Sequence, residues 1–373
     1  MSELGLLGFD GYDFAVSNLA RSRQFYVEGM DFAEAQRASR ALVERTGQET
    51  SVFEAGDARV VVSSPVRASA PLAGYLGRHP AGMTALAFRV SSLDHAWGVL
   101  EARGATFLGE PVEAAALGGS YRAFEIATPV GEVSFRFVER LDFPLHAPGF
   151  EVLPPSEPTN RFGFSAIDHV TANAITMMPV ALWYEKVLGL AHYREIQFHT
   201  AAMAKHGPQG SGLRSIVMWD PESQIKLATN EPLRPFFFDS QINAFVGQNR
   251  GPGVQHVALR VPALVPVVDE LTRRGVRFLE TPRAYYEMLP ARLARLNLST
   301  VKEPMEELAR LGILVDGADD RYLLQIFARE ASDPFYHEII QRAGHNGFGE
   351  GNFRALFEAI EREQFMAYQT PMG

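Results

Sequence analysis

The chain has no cysteine in 373 residues. That absence excludes a disulfide scaffold, thiolate zinc sites, iron–sulfur clusters and cysteine nucleophiles together, so any metal must be held by His, Asp or Glu. There is no basic surplus either: 35 Lys and Arg stand against 44 Asp and Glu, a net charge of −9, and no basic stripe is present to neutralise phosphates, which argues against nucleic acid as a partner. No apolar run approaches the roughly 18 residues of a membrane span, and Met1 to Gly5 carries no basic leader, so a cytoplasmic protein is expected. GxGxxG, Walker-type, nucleophile-elbow and HExxH patterns are also missing, which removes the usual support for nucleotide, serine-hydrolase and zincin chemistry. What remains is a composition 46% hydrophobic and 21% charged, that of a globular chain able to bury a large core.

The most informative feature present is an internal repeat. Gly82 to Pro111 aligns without a gap on Gly253 to Pro282, with 11 of 30 positions identical. Each copy reads as an alternating strand, a helix ended by Arg-Gly, and a short Phe-Leu strand. Two weaker echoes pair Tyr12-Asp13-Phe14 with Ile167-Asp168-His169, and Val133 to Arg140 with Phe335 to Arg342. The chain is therefore a duplicated pair of modules, with an N-terminal unit over 1–140, a proline-rich linker over 141–160 and a C-terminal unit over 161–373. From Asn352 to Gln364 apolar residues recur at helical spacing behind a candidate Asn352 cap.

The repeat lets one half serve as a control for the other. His169, His256 and Glu338 lie on the three echoed strands, and their counterparts read as Phe14, Ala85 and Arg136, which form no ligand set. Two imidazoles and one carboxylate suit non-haem Fe(II), and also Mn, Co, Ni or Zn. His337 should face away from Glu338; His79, His95, His146, His192, His199, His206 and His345 sit in polar contexts and read as solvated surface groups. Uncharged polar residues interrupt apolar strand-like runs at Ser215, Asn230, Gln241 and Gln325, and a buried amide demands a partner. Phe327 shares a strand face with Gln325, and Phe348 and Phe353 flank a glycine-rich turn. Together these describe an apolar slot with neutral hydrogen-bonding groups, suited to a hydroxylated aromatic ring.

Several of these runs resemble the 4-hydroxyphenylpyruvate dioxygenase family: Glu338-Ile339-Ile340-Gln341-Arg342, Gly347 to Phe353, Leu356 to Glu361, Gly251 to Leu259, Leu323 to Phe327, Ile167-Asp168-His169 and Tyr285 to Leu289. The resemblance is specific over about 160–365 and weaker before it, where it matches the family's metal-free half. It implies an α+β vicinal-oxygen-chelate fold, with duplicated βαβββ modules forming two open barrels and a C-terminal helix closing the site. It implies Fe(II) on His169, His256 and Glu338; substrate contacts from Ser215, Asn230, Gln241, Gln255, Gln325, Phe327, Phe348 and Phe353; an aromatic keto acid and O2 as small-molecule partners; and a homodimer or homotetramer. Strand alternation, however, turns Gln255 away from His256. The activity implied is oxidative decarboxylation and ring hydroxylation to homogentisate, with 4-hydroxymandelate synthesis or a non-catalytic binding protein as alternatives on the same fold. The sequence departs from the family at Ala228, where proline is common, at Tyr336, where phenylalanine is usual, and between Phe198 and Gly212.

Overall fold

The computed structural model describes residues 2–116, 118–154, 160–199, 212–233, 240–299, 301–329, 334–352 and 355. In the first half, strands β1 (Leu6–Ala15), β2 (Ala33–Ala38), β3 (Gln48–Ala55), β4 (Ala58–Pro65), β5 (Gly82–Val90), β6 (Val112–Ala116), β7 (Gly119–Ile126), β8 (Ser134–Leu141) and β9 (Phe150–Val152) form one sheet in the order β6-β7-β8-β5-β1-β4-β3-β2-β9. In the second half, β10 (Ile167–Asn173), β11 (Ala191–His199), β12 (Gly212–Trp219), β13 (Lys226–Pro232), β14 (Gly253–Arg260), β15 (Arg277–Phe278), β17 (Arg321–Arg329) and β18 (Tyr336–Ala343) form another, and β16 (Leu314–Ala318) pairs with β17. The linker expected over 141–160 is not featureless: β8 runs to Leu141, and β9 adds to the sheet edge beside β2.

The duplication is exact at the level of pairing. β1 runs parallel to β4 and antiparallel to β5, which is parallel to β8; β10, β13, β14 and β18 repeat this arrangement. The helices following β5 and β14, Leu93–Ala102 and Leu264–Arg273, share an acceptor at their first residue, although only the first also has a capping side chain, Ser92. The orphan amide of Leu93 donates to Glu139 on β8 (2.6 Å), and that of Leu264 donates to Gln341 on β18 (2.6 Å), satisfying helix-end donors from a neighbouring strand.

Register identifies the true counterparts. Ala258 pairs with His169 and Ala87 pairs with Gly11, so the first-half equivalent of His169 is Gly11, and that of Asp168 is Asp10. The Tyr12-Asp13-Phe14 echo was three residues out, because its aspartate matched the wrong aspartate. Ala85 and Arg136 stand where expected, opposite His256 and Glu338.

The main hydrophobic core among the described residues runs through both halves, from Leu4 and Tyr26 to Val257 and Ile339. His337, on the face of β18 opposite Glu338, is fully buried and inserts among Tyr12, Phe25, Tyr26 and Phe335. Tyr12 Oη and Tyr26 Oη lie 2.8 and 3.2 Å from its Nε2, and burial pushes the imidazole down to about 3, so it is neutral. The strand that carries Glu338 is thereby fastened to the first half. No helix among the described residues is long and apolar enough to cross a membrane.

Candidate metal centre

The three candidate ligands meet. His169 on β10, His256 on β14 and Glu338 on β18 are each 1–2% exposed, and their donor atoms lie within 4.8 Å of one another. Both histidines turn Nε2 toward Glu338 Oε2, at 3.2 and 3.4 Å. The other ring nitrogen of each is engaged by the preceding residue: His169 Nδ1 donates to Asp168 Oδ1 (3.0 Å), and His256 Nδ1 donates to Gln255 Oε1 (3.2 Å). Those acceptors set the tautomer that leaves Nε2 free to bind a metal.

Adjacent strand residues normally face opposite sides. Here both contacts arise at β-bulges. In the β10–β14 ladder the register skips Asp168, between Ile167 and His169, and skips Gln255, between Val254 and His256. A bulge re-aims a side chain, and this corrects the expectation that alternation turns Gln255 away: it supports a ligand from behind.

Burial by itself would favour neutral forms throughout. For Glu338 that effect is outweighed by the two histidines, and its pKa is pulled down to about 2. His169 is likewise disfavoured by burial, but Glu338 and Asp168 raise its value overall; at His256 burial wins and the value falls. Asp168, against its own desolvation, is held well below the carboxylate range by Arg342 and His169, with Arg342 and Arg260 at 2.5 and 2.6 Å. Among the described residues, Glu338 Oε1 is buried without a hydrogen-bond partner. A carboxylate oxygen left bare beside two oriented imidazoles is the condition a cation relieves, so the residues fit a divalent metal.

Around the ligands, Phe348 packs edge-on against His169 (4.7 Å between centroids), and Phe327 against His256 (6.0 Å). Tyr336, the departure from the family pattern, stacks on His256 at 5.2 Å. Ser215 and Asn230, paired across β12 and β13, line the adjoining cavity with Ala228 and Phe348; Asn230 also donates to Asn173 (3.0 Å). That cavity is about 20 Å³, the room of a single water. Gln325, 1% exposed, lies on β17 two residues from Phe327, and among the described residues its Oε1 has no partner. Gly349 closes over it: a Cβ there would come within 2.0 Å of Gln325 Oε1.

Other expected positions differ. Gln241 is not on a strand; it is the exposed first residue of a helix, Gln241–Asn249, whose cap Ser240 accepts from the Ile242 amide, and it lines none of this cavity. Asn352 is not a cap, because helix begins at Glu350 and Asn352 Oδ1 instead accepts from Tyr285 (2.7 Å) and Arg292. Phe353, and the expected C-terminal helix apart from Asn352 and Ala355, lie outside the described residues. Sequence reasoning missed Asp168 as a supporting group, though an acid directly before a candidate ligand was a visible signal. It also missed Lys226, which is buried with its ammonium 6.0 Å from the Phe348 ring and carries no sequence signature.

Two models of the Glyoxalase/Bleomycin resistance protein/Dioxygenase superfamily match residues 12–124 and 166–289. The 4-hydroxyphenylpyruvate dioxygenase of Dictyostelium discoideum is 34% identical over 96% of this chain and 98% of its own length; that of Danio rerio is 33% identical over 96% and 91%. The chain belongs to the 4-hydroxyphenylpyruvate dioxygenase family. Among solved structures, a mutant 4-hydroxymandelate synthase from Streptomyces coelicolor superposes with a TM-score of 0.78 at 25% identity, covering 98% of this chain and 100% of that one. A Mn(II)-bound glyoxalase from Novosphingobium aromaticivorans, at 0.54 and 10% identity over 92% and 84%, shares the fold. The vicinal-oxygen-chelate fold expected from the sequence is thus the one found, and this member of the dioxygenase family carries its buried His-His-Glu site in the second half alone among the described residues.

Proposed function

We propose that this chain is an Fe(II)-dependent dioxygenase that converts 4-hydroxyphenylpyruvate and O2 to homogentisate and CO2. The observation that carries the proposal is the His169-His256-Glu338 set, with the buried Gln325 two residues along β17 from Phe327 and its Oε1 without a partner among the described residues, in a chain with full-length relatives of that name. Bound Fe(II) would supply the redox chemistry, since a site with one carboxylate keeps positive charge for a keto-carboxylate and leaves a position for O2.

The chain's own residues then bind, orient and exclude. Phe327 and Phe348 flank the aromatic ring; Gln325 on β17, and Ser215 and Asn230 in the cavity beside the ligands, offer neutral hydrogen-bonding groups. Near-complete burial of the ligands excludes bulk water. No titrating side chain besides the ligands is required. Gln241, at the start of its helix, Gln255, which also supports His256, and Phe353 stay proposed substrate contacts on the resemblance alone. The division at 141–160, with the first half as scaffold, a cytoplasmic location and a homo-oligomer belong to the same proposal.

The test is anaerobic loading with Fe(II), then O2 uptake with 4-hydroxyphenylpyruvate and identification of the product. Homogentisate in step with O2 supports the proposal. 4-Hydroxymandelate would move the oxidation to the benzylic carbon, and no O2 uptake by the iron-loaded protein would remove this substrate.

A further inference from the structure

The concave face of the first sheet holds a cavity of about 570 Å³, within the range of small-molecule sites. Register places it where the second half has its metal centre. Thr50 faces Ser63 across β3 and β4 as Ser215 faces Asn230; Asp13 stands where Thr171 does, and Arg136 where Glu338 does. The ligands are gone from this copy, yet the space has not been filled with apolar side chains. Thr50 and Ser63 bond each other at 2.8 Å, and each hydroxyl keeps capacity for a further partner.

The charge in this cavity is unbalanced in one direction. Arg136 directs Nε to Glu125 (2.6 Å) and both terminal nitrogens to Asp13 (3.1 and 2.6 Å), so its fork presents no free edge to an incoming carboxylate. Two carboxylates share one guanidinium and leave one negative charge; the rim residues Arg45 and Glu110 cancel, and Arg59 and Arg140 behind the wall are matched by Asp10 and Glu54, so neither pair alters that balance. Burial outweighs Arg136 and raises Asp13, as expected of a desolvated carboxylate short of positive charge. His146 lines the same cavity and is 5% exposed, not the solvated group its context implied. Among the described residues its Nδ1 is buried without a partner, and burial, with Arg136, Arg59 and Arg140 nearby, keeps it neutral. Tyr121, Phe124 and Phe150 supply aromatic wall.

We propose that this cavity is a second ligand site, selective for a small organic ammonium compound with an apolar body, the ammonium completing the Asp13–Arg136–Glu125 cluster and the body lying against the aromatic wall. The site is independent of the metal centre and of the reaction proposed there.

Calorimetry on the metal-loaded full chain tests this with three probes of one shape: 2-phenylethylamine, 2-phenylethanol and phenylacetate. The amine should bind at pH 7 with a Kd below about 1 mM, at least about tenfold more tightly than the alcohol, with no heat from phenylacetate. Ala123→Phe, at a buried wall position, should abolish amine binding while O2 uptake with 4-hydroxyphenylpyruvate stays unchanged. Arg45→Glu, on the exposed rim, should tighten the amine several-fold, and serves alone if Ala123→Phe does not fold. Absence of heat with the amine, tighter binding of phenylacetate, an unaltered amine Kd in a folded Ala123→Phe, or no tightening in Arg45→Glu would each overturn the proposal.

Discussion

At the scale of single residues, the centre depends on side chains that never touch a metal. Gln255 sets the tautomer of His256 as Asp168 sets that of His169. Gln255→Leu is therefore expected to weaken metal affinity by about 10–100-fold with the fold intact, measured by competition with a fluorescent chelator; unchanged affinity would leave Gln255 without this role. The raised His169 also makes metal uptake proton-linked. A metal must displace a proton from His169, so affinity should fall as pH drops through and below that raised value, with proton release on binding in weakly buffered solution. The metal-free protein should respond oppositely. The His169 contribution to stability is present below its ordinary 6.5 and lost as pH rises through the raised value. The Glu338 contribution is present above its ordinary 4.5 and lost toward about 2. The pair thus stabilises the metal-free protein most between about 4.5 and 6.5, which melting curves against pH with and without metal will check.

At the scale of elements, the two bulges and the glycine turn explain what the sequence could and could not disclose. The ligand triad was legible because duplication gave each ligand strand a metal-free partner to compare with. The bulges at Asp168 and Gln255 were not, since an extra residue in a ladder is defined by the opposite strand; this is why alternation misplaced Gln255 and why the first echo slipped to Phe14. Gln241 was placed on a strand, whereas Ser240 caps a helix that begins at Gln241, in a stretch too short and mixed for periodicity to resolve. The same bulges recur in the first half, where the register skips Asp10 and Thr84, and Arg140 reaches Asp10 at 3.0 Å as Arg342 reaches Asp168. They belong to the sheet's curvature as much as to catalysis. The turn has its own test: Gly349 adopts φ +73° and abuts Gln325, so Gly349→Ala should cost about 1–3 kcal/mol and raise KM more than it lowers kcat, read from melting and steady-state O2 uptake.

At the scale of the whole molecule, the halves share a core and meet at His337, one residue from Glu338. Tyr12→Phe with Tyr26→Phe removes both hydroxyls from a buried imidazole and should lower stability by about 1–3 kcal/mol. It should also loosen metal binding, although neither tyrosine is on the ligand's side of the strand. Calorimetric metal titration beside a melting curve separates the two effects, and a loss of stability with unaltered affinity would confine the tyrosines to the core.

The Asp13–Arg136–Glu125 cluster ties β1, β7 and β8 together with side chains alone. Where the second half must draw a divalent ion from its surroundings, the first carries a positive group covalently attached to its own strand. The protein therefore meets metal starvation asymmetrically. After exhaustive chelation, backbone amides of β10, β14 and β18 should exchange with deuterium faster, while those of β1, β5 and β8 keep their protection. A cell short of metal would then hold a molecule with one softened half, able to close again around the next ion it meets, beside one that stays intact throughout.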